Sequence, residues 1–331
     1  MDARPPQPES GSHHLRTVVL ENSLLRVVVF PGAGAKIWQI TYKPMSADLL
    51  WNNPTVPPRP QPLYASYDDN WSGGWDELFP NDEACIWGGL DLPDHGELWT
   101  GSCETIAVET ARLYTRFVTP LTQCLAEKEL LLDRERPMLK VLYRLTNTGS
   151  VPRRFLWKLH PAFAVTDSHR IDFPPMSVVR ELDFPGTLQN APTVFPWPYA
   201  ALGDRVLDLR QVPDAASGAL HFFYGTGYSD GWCGVTDRGK GLAAGLHFDP
   251  KIFSSCWLFA TYGGWRDLNV AVLEPATGFP FQLQKMIDSG QARTLAPGES
   301  IETTVLFSVQ EGLRSIGKVE EDGTIVPGDE Y

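Results

Sequence analysis

The chain has 331 residues and a formal net charge of −12, with 43% hydrophobic and 21% charged residues. That balance is globular rather than disordered, and the acidic excess argues against nucleic acid or anionic membrane surfaces as partners. No apolar run reaches the roughly 18–20 residues that a bilayer-spanning helix needs.

Met1 to Ser12 is polar and proline-rich and lacks the apolar stretch of a secretory signal, so a cytoplasmic location is expected. Residues 1–15, which carry the adjacent His13 and His14, read as a disordered lead-in. From Thr17 the pattern is one of strands. Leu24 to Phe30 is apolar and β-branched, Pro31-Gly32-Ala33-Gly34 is a turn, and Lys36 to Tyr42 resumes the strand. Cys85, Cys103, Cys124, Cys233 and Cys256 are odd in number and include no CxxC pair, which argues for buried free thiols rather than a disulfide framework or zinc ribbon.

The segment Leu121 to Leu132 contains good helix formers, yet it lies inside a long run of strands and is expected to be one. Leu139, Val141, Tyr143 and Leu145 alternate with polar residues. So do Phe155, Trp157 and Leu159, which put Arg154, Leu156, Lys158 and His160 on the opposite face. Asn147-Thr148-Gly149 is expected to join these two runs as a hairpin. His160-Pro161 and Glu274-Pro275 read as strand ends at a sheet rim, because proline cannot donate to the ladder. Ile301, Thr303, Val305 and Phe307 form a last alternating strand, and the acidic, glycine-rich stretch from Glu320 is expected to be loose. The division expected is therefore one β domain over residues 16–312 with a tail over 313–331. A strand-rich chain without interleaved helices excludes Rossmann and TIM architectures and leaves a large sandwich or barrel.

Three clusters carry chemistry. Asn70-Trp71-Ser72-Gly73-Gly74-Trp75-Asp76-Glu77-Leu78-Phe79-Pro80-Asn81 reads as a polar loop with indole rings for sugar faces and carboxylates or amides for hydroxyls. In Pro93-Asp94-His95-Gly96-Glu97-Leu98-Trp99 the histidine is flanked by acids and can move a proton or bind a ligand. The third cluster is His160 together with Glu274, a carboxylate that closes an apolar strand, where burial raises its pKa towards that of a usable base. His247, in Leu246-His247-Phe248-Asp249-Pro250, either lines a site or is packed. No phosphate loop, HExxH or GxSxG elbow is present.

In their order along the chain these clusters resemble the aldose 1-epimerase family of the galactose mutarotase-like superfamily. Four passages carry the likeness. Glu21 to Ile37, with its Pro31-Gly32-Ala33-Gly34 turn, is the first. Gly73-Gly74-Trp75 through Phe79-Pro80-Asn81, followed by Pro93-Asp94-His95-Gly96, is the second. Leu159-His160-Pro161-Ala162-Phe163 is the third, and the fourth is Leu273-Glu274-Pro275 with Leu295-Ala296-Pro297-Gly298-Glu299-Ser300. The resemblance implies an all-β fold, a large twisted antiparallel β-supersandwich with its site on a concave face.

It further implies Glu274 as general base at the C1 hydroxyl, His160 as general acid at the ring oxygen and His95 as a positioning group. Trp75, Asp76, Asn81, His247 and Asp249 are the substrate-binding candidates. No cofactor or metal is expected. The partner is a small-molecule carbohydrate, a neutral sugar being favoured over a phosphorylated one, and a homo-oligomer is left open. Two features depart from the family. Glu97-Leu98-Trp99 follows the His-Gly pair where a phenylalanine and often a basic residue would stand, and no arginine occurs between Tyr67 and Asn81. Non-catalytic carbohydrate binding, or a different sugar isomerase or lyase on the same scaffold, are the alternatives.

Overall fold

The computed structural model describes residues 15–184 and 186–329. Residues 1–14, with His13 and His14, lie outside them. Two antiparallel sheets form the body. The larger has eleven strands. Their spatial order is Val18–Glu21, Leu25–Phe30, Lys36–Tyr42, Trp75–Leu78, Lys158–Phe163, Asn269–Ala276, Ser255–Tyr262, Ala219–Thr226, Ser177–Arg180 and Val194–Pro196, with the short Ala47–Asp48 strand pairing to Lys36–Tyr42. The second sheet has eight strands, in the order His169–Asp172, Trp232–Asp237, Leu242–Phe248, Ser300–Glu311, Met138–Asn147, Cys124–Leu132, Arg112–Val118 and Glu104–Glu109. Among the described residues no helix is long and apolar enough to cross a membrane.

The core lies between the facing sheets. Leu139, Val141, Tyr143 and Leu145 of the eight-stranded sheet all point into it, as their alternation requires. Phe307 packs on Trp75 and Phe163 across the gap, at ring-centroid distances of 6.4 and 6.3 Å. Two sheets with apolar inner faces must cover each other, which is the sandwich solution. A charged cluster is embedded in this layer: the Lys128 ammonium contacts both Glu77 carboxylate oxygens at 2.8 Å, and the Tyr143 hydroxyl donates to Glu77 at 2.6 Å. Cys124–Leu132 is a strand in spite of its helix-forming residues. It is hydrogen-bonded on both sides, to Arg112–Val118 and Met138–Asn147, and its alternate residues Lys128, Leu130 and Leu132 are buried. Pairing on two edges outweighs local propensity.

Four expectations are corrected. Asn147-Thr148-Gly149 does not close a hairpin. Met138–Asn147 pairs within the eight-stranded sheet, Arg153–Phe155 pairs with Arg293–Leu295, and Lys158–Phe163 lies in the larger sheet. The Asn147 side chain stabilises this crossing by donating to the carbonyls of Val151 and Leu295. The run from Arg153 to His160 is thus two strands, and its second half is buried on both faces because it sits at the centre of a covered sheet.

His160-Pro161 and Glu274-Pro275 are not at a rim: both pairs lie inside central strands. The prolines are tolerated because the ladder between these two strands opens where they sit. Lys158 pairs with Ala276, Ala162 with Val272 and Phe163 with Ala271, and residues 159–161 make no pair on that side. Finally, the C-terminal stretch is not loose through residue 329. Ile316–Val319 and Ile325–Pro327 form a hairpin whose Ile316, Val319 and Ile325 pack with Trp232, Ala243 and Leu313.

Replacing Phe307 by alanine removes the ring that fills the space between the two sheets. A loss of about 3–5 kcal/mol is expected, read as a lower urea midpoint at unchanged slope. An unshifted midpoint would show that the facing sheets do not depend on this contact.

Candidate active site

The sheet register brings together residues far apart in the chain. His160 pairs with Asp76 on one side, and on the other the register places it opposite Glu274. Glu274 pairs with Trp257, and Trp257 with Tyr224. Directly opposed residues of antiparallel strands share a face, so this is one row across the sheet. Lys158, two residues before His160, points to the same side. It is the face away from the eight-stranded sheet, and it forms the floor of a cavity of about 230 Å³.

The walls come from loops. Ser66 begins a short helix, Tyr67–Asn70, and accepts a hydrogen bond from the Asp69 amide. The Tyr67 amide donates to the Asp94 carboxylate at 2.7 Å, which ties this turn to the His95 loop. His95 (φ 58°) and Gly96 (φ 74°) are both in the left-handed region. A side chain at Gly96 would put its Cβ 2.1 Å from the Phe79 carbonyl oxygen, so only glycine lets the loop approach so closely. The His95 ring lies flat on Tyr67, with centroids 4.0 Å apart and planes at 10°. Trp71, Trp265, Phe222, Phe259 and Phe281 supply apolar lining, and Asp68, Asp82, Glu83 and Asp94 add carboxylates.

Of the residues singled out from sequence, His95, His160 and Glu274 line this single cavity. The other candidates do not. Trp75 points into the layer between the sheets, against Phe307, because it alternates with Asp76 along its strand. Asp76 lies behind the cavity, where it pairs with the Lys36 ammonium at 3.0 Å and accepts from the Tyr67 hydroxyl at 3.0 Å. Asn81 is buried beneath the loops and donates to the carbonyls of Glu83 and Pro93. His247 and Asp249 line a different hollow, on the eight-stranded sheet, with Arg136 and Lys140. Asp76 and Glu77 do not both add acid near the cavity: Glu77 faces the opposite layer, with Lys128. Glu97, which follows the His-Gly pair, is fully buried and accepts from the Leu121 and Thr122 amides and the Thr122 hydroxyl. Its role is to hold a turn.

Among the site residues that were not singled out from sequence are Lys158, Asp82, Tyr67 and Trp265. Among the described residues lining the cavity, Lys158 is the one lysine or arginine. Its ammonium is 2.5 Å from the Glu274 carboxylate, also pairs with Asp82, and sits 4.5 Å from the centre of the Trp257 ring. Both Coulombic attraction and hydrogen bonding tie the ammonium to Asp82 and Glu274. Burial pulls the Lys158 ammonium towards deprotonation, but Asp82 and Glu274 outweigh it and its pKa is raised. Burial holds Glu274 above the usual carboxylate range in spite of Lys158. The sequence signal for Lys158 was its shared strand face with His160; for Tyr67, Asp82 and Trp265 there was none beyond residue type.

No family model matches the chain, and no curated protein matches it. Solved structures do. A Synechocystis protein is 19% identical, with a TM-score of 0.65 over 94% of this chain and 100% of its own. An Escherichia coli K12 protein provisionally described as an aldose 1-epimerase is 16% identical, with a TM-score of 0.67 over 90% of this chain and 100% of its own. A galactose mutarotase related enzyme from Lactobacillus acidophilus is 13% identical, with a TM-score of 0.65 over 90% and 98%. The fold is therefore the galactose mutarotase-like β-supersandwich.

Lys158→Met leaves Asp82 and Glu274 buried without their cation. A loss of about 3–5 kcal/mol at pH 8 is expected. The Glu274 pKa, already raised in the fold, rises further in the variant, so the folded state binds more protons than the unfolded chain and stability falls as pH rises. The difference between variant and parent should therefore shrink at pH 5. Equal differences at the two pH values, by chemical denaturation, would contradict this electrostatic account.

Proposed function

We propose that this protein exchanges the anomers of a neutral aldose, the reaction of an aldose 1-epimerase. The observation that carries the reading is the convergence of two imidazoles and a buried carboxylate on one aromatic-walled hollow. The hollow is smaller than the roughly 300–1,000 Å³ of drug-sized pockets, which suits a monosaccharide. Mutarotation needs a base at the C1 hydroxyl and an acid at the ring oxygen, both within hydrogen-bond reach of one ring. Glu274 is the base: it is buried, its proton affinity is raised, and it projects from the cavity floor. An imidazole supplies the proton to the ring oxygen, the part that the family resemblance gives to His160, with His95 as the positioning group. As Glu274 takes the hydroxyl proton, the O–H pair becomes the C1 carbonyl bond and the C1–O5 pair leaves to the ring oxygen. The open-chain aldehyde turns about C1–C2 and closes on its other face.

Asp68, Asp82, Glu83 and Asp94 line the cavity against a single lysine and no arginine, which disfavours a phosphorylated or sulfonated sugar. One observation favours a second reading, sugar binding without turnover: the Lys158 ammonium lies directly on Glu274 and weakens it as a base.

Glu274→Gln separates the two. It should slow anomer exchange by about 10²–10⁴-fold, followed by NMR exchange spectroscopy on galactose and glucose, while sugar binding by calorimetry persists. Exchange by the parent protein should fail with aldose 6-phosphates. Saturable binding with no exchange in the parent would establish the second reading instead.

A further inference from the structure

We infer that His95, not His160, carries the proton delivered to the ring oxygen, and that His160 meets the sugar through a bare Nε2 that accepts a hydroxyl proton. The assignment rests on the anomer-exchange reading for its chemistry, but its basis is the hydrogen bonding of the empty cavity.

Behind His160 lies a buried ion pair. The Lys36 ammonium reaches the Asp76 carboxylate at 3.0 Å, the Ser72 hydroxyl at 2.9 Å and the Gly73 carbonyl at 3.0 Å. The ammonium donates to Ser72 and Gly73 and forms an ion pair with Asp76. In that ion pair Asp76 is a carboxylate, which can only accept. The Tyr67 hydroxyl is 3.0 Å from Asp76 Oδ2 and 3.2 Å from His160 Nδ1. Its single proton goes to the carboxylate, the stronger acceptor. His160 Nδ1 must then be the donor to the tyrosine oxygen. In a neutral imidazole that leaves Nε2 unprotonated. Among the described residues Nε2 has no hydrogen-bond partner, and the ring lines the cavity. The Asp76 and Glu274 carboxylates face His160 from the neighbouring strands, but burial and three cationic groups outweigh them. Burial lowers its pKa well below the ordinary histidine value, and the charges of Lys158, His95 and Lys36 lower it further.

His95 has the opposite surroundings. Its Nδ1 is 2.7 Å from Asp94 Oδ1, and its Nε2 is 3.7 Å from Asp82 Oδ1. Asp68 and Glu274 also act on it, and Lys158 is the opposing cation. Burial disfavours the charged ring, but the carboxylates of Asp82 and Asp94 outweigh it and the pKa is raised. With Nδ1–H donating to Asp94, the second proton of the imidazolium is on Nε2. The two rings lie 6.5 Å apart at 88°. Imidazoles whose environments push their proton affinities apart sort into an acid and an acceptor. In the reaction Glu274 takes the O1 proton, the C1–O5 pair moves to O5, and O5 takes the Nε2 proton of His95. Closure returns both protons. His160 accepts a hydrogen bond from a sugar hydroxyl and fixes the ring between them.

The test is nitrogen-15 NMR of the imidazole rings in labelled protein without substrate, with His95→Gln and His160→Gln used to assign the signals. At pH 7 the expected pattern is an imidazolium for His95 and a neutral, Nδ1-protonated ring for His160. Tyr67→Phe should increase the Nε2-protonated form of His160, and in the parent the loss of exchange at high pH should follow the His95 titration. An imidazolium at His160, or an Nε2-protonated neutral ring in the parent, overturns the assignment. Because the ring spectra need no turnover, absence of exchange with every aldose would remove the proposed activity and leave the proton placement standing.

Discussion

Lys158 is the constraint on which the concave face depends. Its ammonium is almost wholly buried and holds two carboxylates that arrive from different parts of the chain, Asp82 from a loop and Glu274 from a central strand. Without that cation, the two carboxylates would lie close together in a low-dielectric floor and repel. With it, Glu274 stays at the cavity floor, and the loop that carries Asp82 also receives the His95 amide on the Asp82 carbonyl, at 2.5 Å. One ion therefore orients the base and, through a loop, one of the two imidazoles. The Trp257 ring beneath the ammonium offsets part of its lost hydration.

The central strands make this possible by giving up regularity. Strand alternation sends Trp75 and Glu77 into the layer between the sheets and Asp76 to the cavity side, so two adjacent acids serve unrelated purposes. Glu77 is matched by Lys128 from the opposite sheet and helps to register the two layers. Asp76 is matched by Lys36 and fixes a tyrosine. Between the strands of His160 and Glu274 the prolines interrupt the ladder, and the row of functional side chains crosses the sheet at that interruption. Pro161 and Pro275 are neighbours of the reactive groups in sequence and the cause of the opening in structure.

Much of this was legible in the sequence, and the remainder has identifiable reasons. Alternation and turn residues located most strands, the surrounding run of strands identified Cys124–Leu132 against its helical composition, and the family resemblance grouped His95, His160 and Glu274, which the register brings to one cavity. Trp75 and Asn81 were misplaced because a segment rich in glycine and polar residues reads as a loop, whereas Trp75–Leu78 is a buried strand and Asn81 is buried beyond its end. His247 and Asp249 went to the other sheet, since local sequence says nothing about which sheet a strand joins. Lys158 was on the page as part of an alternating face, but a lysine there reads as solvated; only the packing of both faces reveals it as buried. Tyr67 could not be found at all, because its function lies in one hydroxyl bridging Asp76 and His160, which are 84 residues apart in the chain and adjacent only through strand pairing.

The arrangement also explains how one small cavity accommodates two imidazoles without redundancy. His160 is anchored from the side of the sheet, by a tyrosine whose proton is committed to an ion-paired carboxylate, and burial with the charges of Lys158, His95 and Lys36 lowers its proton affinity. His95 is anchored from the loops, by Asp94 next to it in sequence and Asp82 across the cavity, and its nearest charges are mostly carboxylates. Lys158 acts on both, lowering the proton affinity of each, but Asp82 shields only His95 from it. The difference between the rings follows from what each wall adds: the sheet brings Lys36 and Lys158 as well as Asp76 and Glu274 around His160, and the loops bring Asp82 and Asp94 to His95. A cavity built at the meeting of those two walls sets His95 among carboxylates, His160 on the sheet and Glu274 on the floor between them, and the proposed proton exchange at two oxygens of one ring requires such an asymmetry.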